Sequence, residues 1–409
     1  MNSKETAFYS AVEAFVDEFL SESPIAATEL GDHRFDRFLG DHTPDALRRQ
    51  ETQLREALGR LETMDTAAFG PDAAIDHTVM VRLVRAFLRD FDPLRSEQRS
   101  PGACVEECLG GVFLLLIRDF APFGTRMRSV LGRLREVPRV LAEARQNLVP
   151  ESVPPVWAEM AIESATQGRG LFTVLVPLLA LRTPWLLPQI LVASRRAAAA
   201  LDDYARFLHS DVVPRARGDF AVGKAVFEEM VRDQHLLDVS ADELLQIGHR
   251  LFDETHRSMD ELARKLSPTK TARQILDEAK KRHPDARGLL SAYKEEVARA
   301  RAFVVEHGIA TIPEGESLRV RPTPAYLRGV LPYAAYMPPG LLEPRQEGVF
   351  LVTPVSKHAS AEAREIKLRG HNTAKLPIPA LPEGYPGHHL QLVHANRTRT
   401  LQRKLASAL

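Results

Sequence analysis

The chain opens Met1-Asn-Ser-Lys-Glu-Thr-Ala-Phe-Tyr-Ser-Ala-Val-Glu-Ala-Phe-Val-Asp-Glu-Phe-Leu20, and the spacing of its apolar residues sets the fold class. Phe8, Val12, Phe15, Val16, Phe19 and Leu20 recur at helical intervals with glutamate and aspartate between them, which puts one apolar stripe against a core. The same acidic residues interrupt any signal-peptide core. Asp45 to Leu61, Ala73 to Leu94, Met127 to Leu148 and Ala197 to Leu208 repeat the pattern. Ser240-Ala-Asp-Glu243 reads as a capping box opening a helix with Leu244, Leu245, Ile247 and Leu251. Leu289 to His307 is a further helix, stopped by Gly308.

Beyond Gly308 the texture changes. Leu318-Arg-Val-Arg321 alternates apolar and basic residues, so a half-buried strand is expected over residues 317–322. Pro322 to Pro344 is rich in proline and aromatic residues, an ordered but irregular stretch. Gly348-Val-Phe-Leu-Val-Thr353 reads as a second short strand, ended by Pro354. Helix returns from about Ser360 to Arg369. No repeat or long linker divides the chain. The expectation is one mainly α domain over residues 1–409, a large helical body with a small β-element.

Composition narrows the function. Lysine plus arginine equals aspartate plus glutamate, 54 each in 409 residues, so no global field recruits nucleic acid. Leu171 to Leu181 and Trp185 to Ala193 are apolar but are split by Arg182, Thr183, Pro184 and Pro188. Neither half reaches the ~20 residues a spanning helix needs, so core helices meeting at a proline bend are expected and no membrane span. Cys104 and Cys108 are the only cysteines, too few for a disulfide framework, and a reduced, cytoplasmic protein is the simplest expectation.

The densest chemical signal is Pro382-Glu-Gly-Tyr-Pro-Gly-His-His-Leu-Gln391. Zinc hydrolases need neutral imidazoles on the metal and a carboxylate to take a proton from the bound water. On a helix His388 and His389 point about 100° apart, and neither has a ligand four residues on, where Leu392 and Val393 stand. Glu383 lies across Pro386 and Gly387. The segment alone therefore offers one or two ligands, where catalytic zinc takes three.

At these residues the chain resembles the bacterial domain-of-unknown-function 885 family, a thermolysin-clan, zinc-metallopeptidase-like family with the hallmark His-Glu-x-x-Pro-Gly-His-His-x-Gln. Ala27-Thr-Glu-Leu-Gly-Asp-His-Arg-Phe-Asp36, Arg321-Pro-Thr-Pro-x-Tyr-Leu-Arg328, Tyr336-x-Pro-Pro-Gly340, Gly348-x-Phe-x-Val352 and Leu368-Arg-Gly-His-Asn372 match it too. The resemblance implies a peptide hydrolase with zinc as cofactor and a peptide or small-molecule substrate. Glu383 would be the general base and His388 or His389 a zinc ligand. Gly348, Val349, Phe350, Leu351, Val352 and Thr353 would form an edge strand that aligns the substrate.

Two departures shape the expectation. Pro382 stands where the family has its first histidine, and no aspartate or glutamate follows Glu383, although the family continues to a Glu-Gly-Trp-Ala carboxylate. With two ligands missing, zinc affinity should be lost. The expected protein is a C-terminally incomplete pseudoenzyme; a non-catalytic helical binding or interaction protein is the alternative, as is a hydrolase completed by a second chain. His358, Glu362 and Glu365 could share a helical face, with a solvated surface as the ordinary reading. His33, His371 and His394 read as ordinary polar histidines, and Arg397, Arg399, Arg403 and Lys404 as a thin basic run. Leu390, Val393, Leu401, Leu405 and Leu409 leave an apolar face seeking cover, which predicts a homodimer or poor solubility.

Overall fold

The computed structural model describes residues 1–323, 328 and 331–408. Pro324, Ala325, Tyr326 and Leu327 of the Arg321 to Arg328 stretch, and Leu409 of the terminal apolar set, lie outside the described residues. The fold is mainly α with a small sheet, as the periodicities predict. The chain forms two compact units: residues 1–238, 340–343 and 399–409, and residues 239–339 and 344–398.

The first unit is helical: α1 (Ser3–Glu22), α2 (Pro24–Leu30), α3 (Pro44–Glu62), α4 (Pro71–Phe91), α5 (Ser96–Arg99), α6 (Ala103–Ile117), α7 (Phe123–Asn147), α8 (Pro155–Gly170), α9 (Val176–Ala180), α10 (Leu187–Phe207) and α11 (Lys224–His235). Its last helix is α18 (Leu401–Ala408). The ends follow local chemistry. Asn2 and Glu5 close a capping box on α1, and Thr43 caps α3 ahead of Pro44, satisfying N–H groups that have no partner within the helix. Phe8, Val12, Val16 and Leu20 of α1 are buried with Met80, Val84 and Leu88 of α4, the stripes read from the sequence.

A buried arginine ties three helices of this unit. Arg133 on α7 is wholly enclosed. It donates to Phe38 O at 3.1 Å, to Pro24 O at 3.2 Å, and to Gly111 O and Thr28 Oγ1. A buried guanidinium is tolerated because the acceptors converge on its fork.

The Leu171 to Ala193 stretch forms a wide π-turn over Leu171–Leu175, then α9, turns, and α10 with Pro188 in its first turn. The bend is where the prolines place it, but the expected burial is only half met. Leu171, Phe172, Val176 and Ala180 are buried, whereas Val174, Leu178, Leu181 and Trp185 are each exposed by 60% or more. No single helix among the described residues is long and apolar enough to cross a membrane.

The second unit holds α12 (Ala241–Leu266), α13 (Ala272–Ala279), α14 (Leu289–Glu306), α15 (Ala361–Arg369), α16 (Pro377–Glu383) and α17 (His388–Ala395), with strands β1 (Ser317–Pro322), β2 (Ala334–Met337) and β3 (Glu347–Val352). The strand order is β1-β3-β2. β1 runs parallel to β3 with Ser317 opposite Glu347, and β2 antiparallel with Ala334 opposite Val352. Phe350 and Val352 pack on Leu289, Tyr293 and Leu376.

The described terminal apolar residues, Leu390, Val393, Leu401 and Leu405, find their cover inside the chain. Leu390 lies in a cluster with Val297, Val304 and Tyr385, and Val393 is buried. Leu401 and Leu405 complete the core of the first unit beside Met80 and Leu341. Two residues of the basic run are likewise engaged. Arg403 pairs with Asp72 and Asp76, and Arg397 donates to Glu314 O.

Candidate functional site

The sequence points first to the second unit. α16 ends at Glu383, the chain turns through Gly384 to Gly387, and His388 opens α17. Successive helical positions separate the two imidazoles, as expected. His388 is exposed, Glu383 half-buried and His389 fully enclosed.

His389 has no lone pair left for a metal. Its Nε2 lies 2.8 Å from Glu316 Oε2 and its Nδ1 lies 3.1 Å from the Tyr336 hydroxyl. The tautomer that satisfies both carries its proton on Nε2 and accepts from Tyr336. Tyr385 also donates to Glu316 Oε2 at 2.6 Å, and Arg301 pairs with Oε1 at 2.9 Å. Burial pushes the Glu316 carboxyl up, but His389, Tyr385 and Arg301 together hold it down at about 2. Gly348 makes room for this cluster. A Cβ there would stand 2.6 Å from His389 Nδ1 and 2.8 Å from Tyr336 Cε2.

Zinc therefore does not fit these residues. Among the described residues no group of three or more His, Cys, Asp or Glu side chains is placed to hold a metal. The His389 ligand role fails because both ring nitrogens are engaged within the core; His388 and Glu383 have no converging metal-ligating partners among the described residues. The second candidate set does not assemble either. α15 begins at Ala361, so His358 lies outside it, and Glu365 pairs with His283 at 3.3 Å and Arg369 at 3.0 Å. Gly348 to Val352 belong to the central strand rather than an edge, with β1 on one side and β2 on the other. Thr353 is held just beyond it by its N–H to Tyr333 O at 2.8 Å.

The histidines read from the sequence as ordinary polar residues have local partners. His33 Nδ1 meets Asp36 at 3.1 Å, and His394 Nε2 meets Thr311 O at 2.8 Å. His371 is enclosed with Nδ1 3.0 Å from the Tyr293 hydroxyl. Burial, reinforced by Lys367 and Lys375, pushes its imidazole down to about 4.

A cavity of about 330 Å³ opens in the helical unit instead, where α1, α3, α4, α5, α6, α7 and α10 contribute walls. Its apolar side holds Phe15, Phe19, Leu54, Phe87 and Phe91, with Phe19 stacked on Phe87 at 4.9 Å. Its charged groups are Glu18 and Glu22 of α1, His42 ahead of α3, Asp90 of α4, Glu97 of α5 and Glu107 of α6. No lysine or arginine lines it among the described residues. Desolvation holds Glu22, Asp90 and Glu97 above the ordinary carboxylate range, because no described lysine or arginine lies within ion-pair distance of them. Glu107 differs. Burial would raise it, but His42 at 2.7 Å and the Gly40 N–H at 2.6 Å hold it below the ordinary range. Burial lifts the neighbouring Cys104 thiol to about 12, so it stays protonated and unreactive.

Sequence reading missed this site. Glu22, Asp90, Glu97 and Glu107 come from four helices, and no spacing within one segment reveals that they meet. It also missed Glu316, whose partner His389 lies 73 residues away.

A family model described as "Bacterial protein of unknown function (DUF885)" matches residues 24–408. Two solved structures share the fold. One is a presumptive lipoprotein of unknown function from Shewanella oneidensis, 22% identical with a TM-score of 0.73, aligned over 97% of this chain and 73% of its own. The other is a presumptive lipoprotein from Colwellia psychrerythraea, 13% identical with a TM-score of 0.82, aligned over 100% of this chain and 76% of its own. No curated protein matches.

These findings correct four expectations. The resemblance to the 885 family stands, but its extension to a thermolysin-clan zinc peptidase does not, since neither similar structure is named as a peptidase and no metal-holding group forms among the described residues. The hydrolase and pseudoenzyme readings fall with it, as does zinc. The cytoplasmic expectation is withdrawn, because both similar structures bear lipoprotein names. It had leaned on reduced cysteines, and Cys104 and Cys108 are free for a local reason: both lie on α6, one buried and one half-buried.

Proposed function

The chain belongs to the DUF885 family of bacterial proteins of unknown function, and we propose that it is a non-catalytic binding protein whose helical unit takes a small organic cation with an apolar body. The observation that carries this reading is the cavity itself. Stacked phenylalanines offer an apolar and cation–π surface, while Glu22, Asp90 and Glu97 face it without a close ion pair among the described residues, so that desolvation outweighs the more distant Arg49, Arg89 and Arg95. A protonated amine would restore to these carboxylates the interaction that desolvation removes. The engagement of His389 with Glu316 and Tyr336 supports the same reading, since it assigns the densest sequence motif to holding the second unit together.

Calorimetry with phenethylamine, phenethyl alcohol and phenylacetate tests the proposal. A charge-assisted hydrogen bond predicts that the amine binds roughly tenfold to a hundredfold more tightly than the alcohol, and that phenylacetate does not bind. Ala103→Trp, which fills the cavity, should abolish binding. Amine affinity should fall as pH drops toward the carboxylate range from above, because Glu22, Asp90 and Glu97 take up protons earlier than ordinary carboxyls. Equal affinity for amine and alcohol would refute the cation, and no binding of either would refute the cavity.

A further inference from the structure

The apolar residues left uncovered around α9 point to a second surface. Val174 on the π-turn, Leu178 on α9, and Leu181 and Trp185 in the turns that follow are exposed by 64%, 60%, 60% and 61%. Side chains of this size are ordinarily buried, and a cluster of them on a surface marks something that covers it. The charge of this stretch of sequence is one-sided. From Ser164 to Leu201 the chain has no aspartate or glutamate, while Arg169, Arg182, Arg195 and Arg196 supply four positive charges. Arg169 is paired with Asp202 at 3.0 Å, and Arg182 lies over the Phe123 ring at 4.0 Å. Arg195 and Arg196 are exposed and make no ion pair among the described residues.

We propose that this face docks the protein peripherally on an anionic lipid bilayer, with Leu178, Leu181 and Trp185 entering the interface and Arg195 and Arg196 meeting lipid phosphates. The chemistry matches an interfacial segment: an apolar stretch too short to span, a tryptophan suited to the headgroup boundary, and arginine as the only charged residue type between Ser164 and Leu201. A second protein copy fits less well, because the segment would set Arg195 and Arg196 against their own copies, while the nearby acids Asp202 and Asp119 are already held by Arg169 and Arg126. A groove runs along α7 and α10, lined by Pro138, Pro188 and Val192 together with Arg135 and Arg196. Arginine beside an apolar groove is suited to a phosphate with acyl chains attached.

Co-sedimentation of the full chain with vesicles decides the matter. Vesicles of phosphatidylcholine mixed with phosphatidylglycerol should retain the protein, pure phosphatidylcholine should retain much less, and added salt should weaken retention. Leu178→Ser with Trp185→Ser should abolish retention while leaving the melting curve unchanged, since both positions are exposed. Arg195→Gln and Arg196→Gln should each weaken binding to the anionic vesicles about fivefold. Unchanged retention of the double serine variant would overturn the proposal. So would failure of the unmodified chain to bind vesicles, or a concentration-dependent dimer, seen by sedimentation velocity, that the serine substitutions dissolve.

Discussion

At the scale of single residues, two buried groups give the second unit its acid response. His371 is held neutral by burial, with its imidazole down at about 4 against an ordinary 6.5. The unfolded chain therefore takes up a proton first, and stability falls as pH drops from about 6.5 through about 4. Glu316 is held charged down to about 2 against an ordinary 4.5, so its contribution is lost from about 4.5 downward. Urea unfolding across pH separates them. His371→Phe should flatten the upper window and leave the lower one, whereas Glu316→Gln should flatten the lower window at a cost of the order of a few kcal/mol at neutral pH. The motif containing His389 was legible in the sequence as a place of unusual chemistry. Its role was not, because what decides between ligand and core polar group is the occupation of the two ring nitrogens. Those partners, Glu316 and Tyr336, are 73 and 53 residues away.

Among the elements, those whose signals are local were read correctly, and those fixed by packing were not. The capping box at Ser240 does open α12, and the alternation from Leu318 to Arg321 does become β1. Yet the amphipathic face of α12 gains little cover: Leu245, Leu251, Phe252, Leu262 and Leu266 are all more than half exposed. Periodicity states that a face is apolar and cannot say whether anything lies against it. β3 shows the same limit, since its sequence marks a strand but only the pairing of β1 and β2 makes it central. Arg133 is the converse, a charged residue at a core position with no local sign of burial. Arg133→Ala would strand the carbonyls of Pro24, Phe38 and Gly111 and open a void between α2, α6 and α7. A loss of roughly 3–5 kcal/mol in denaturant unfolding is expected; a loss below about 1 kcal/mol would show that water serves these acceptors equally well.

For the whole molecule, residues 399–408 carry more than their position suggests. Leu405 is buried in the first unit's core, and Gln402 and Arg403 both reach the fully buried Asp76, at 2.8 Å and 2.5 Å. A stop codon after Thr398 would leave Asp76 with Tyr9 as its remaining side-chain partner, at 2.9 Å, and uncover the groove that Leu401 and Leu405 fill. The chain so shortened should lose several kcal/mol of stability and melt at a lower temperature; an unchanged melt would show that the helix rests on the surface without supporting it. The arrangement also bears on how the protein comes into being. A ribosome delivers residues 1–238 first, yet the helical unit they form is missing part of its interior until residues 401–405 have left the exit tunnel. The first-made unit is thus the last to be sealed, and the nascent chain must keep an open seam through the synthesis of the other unit.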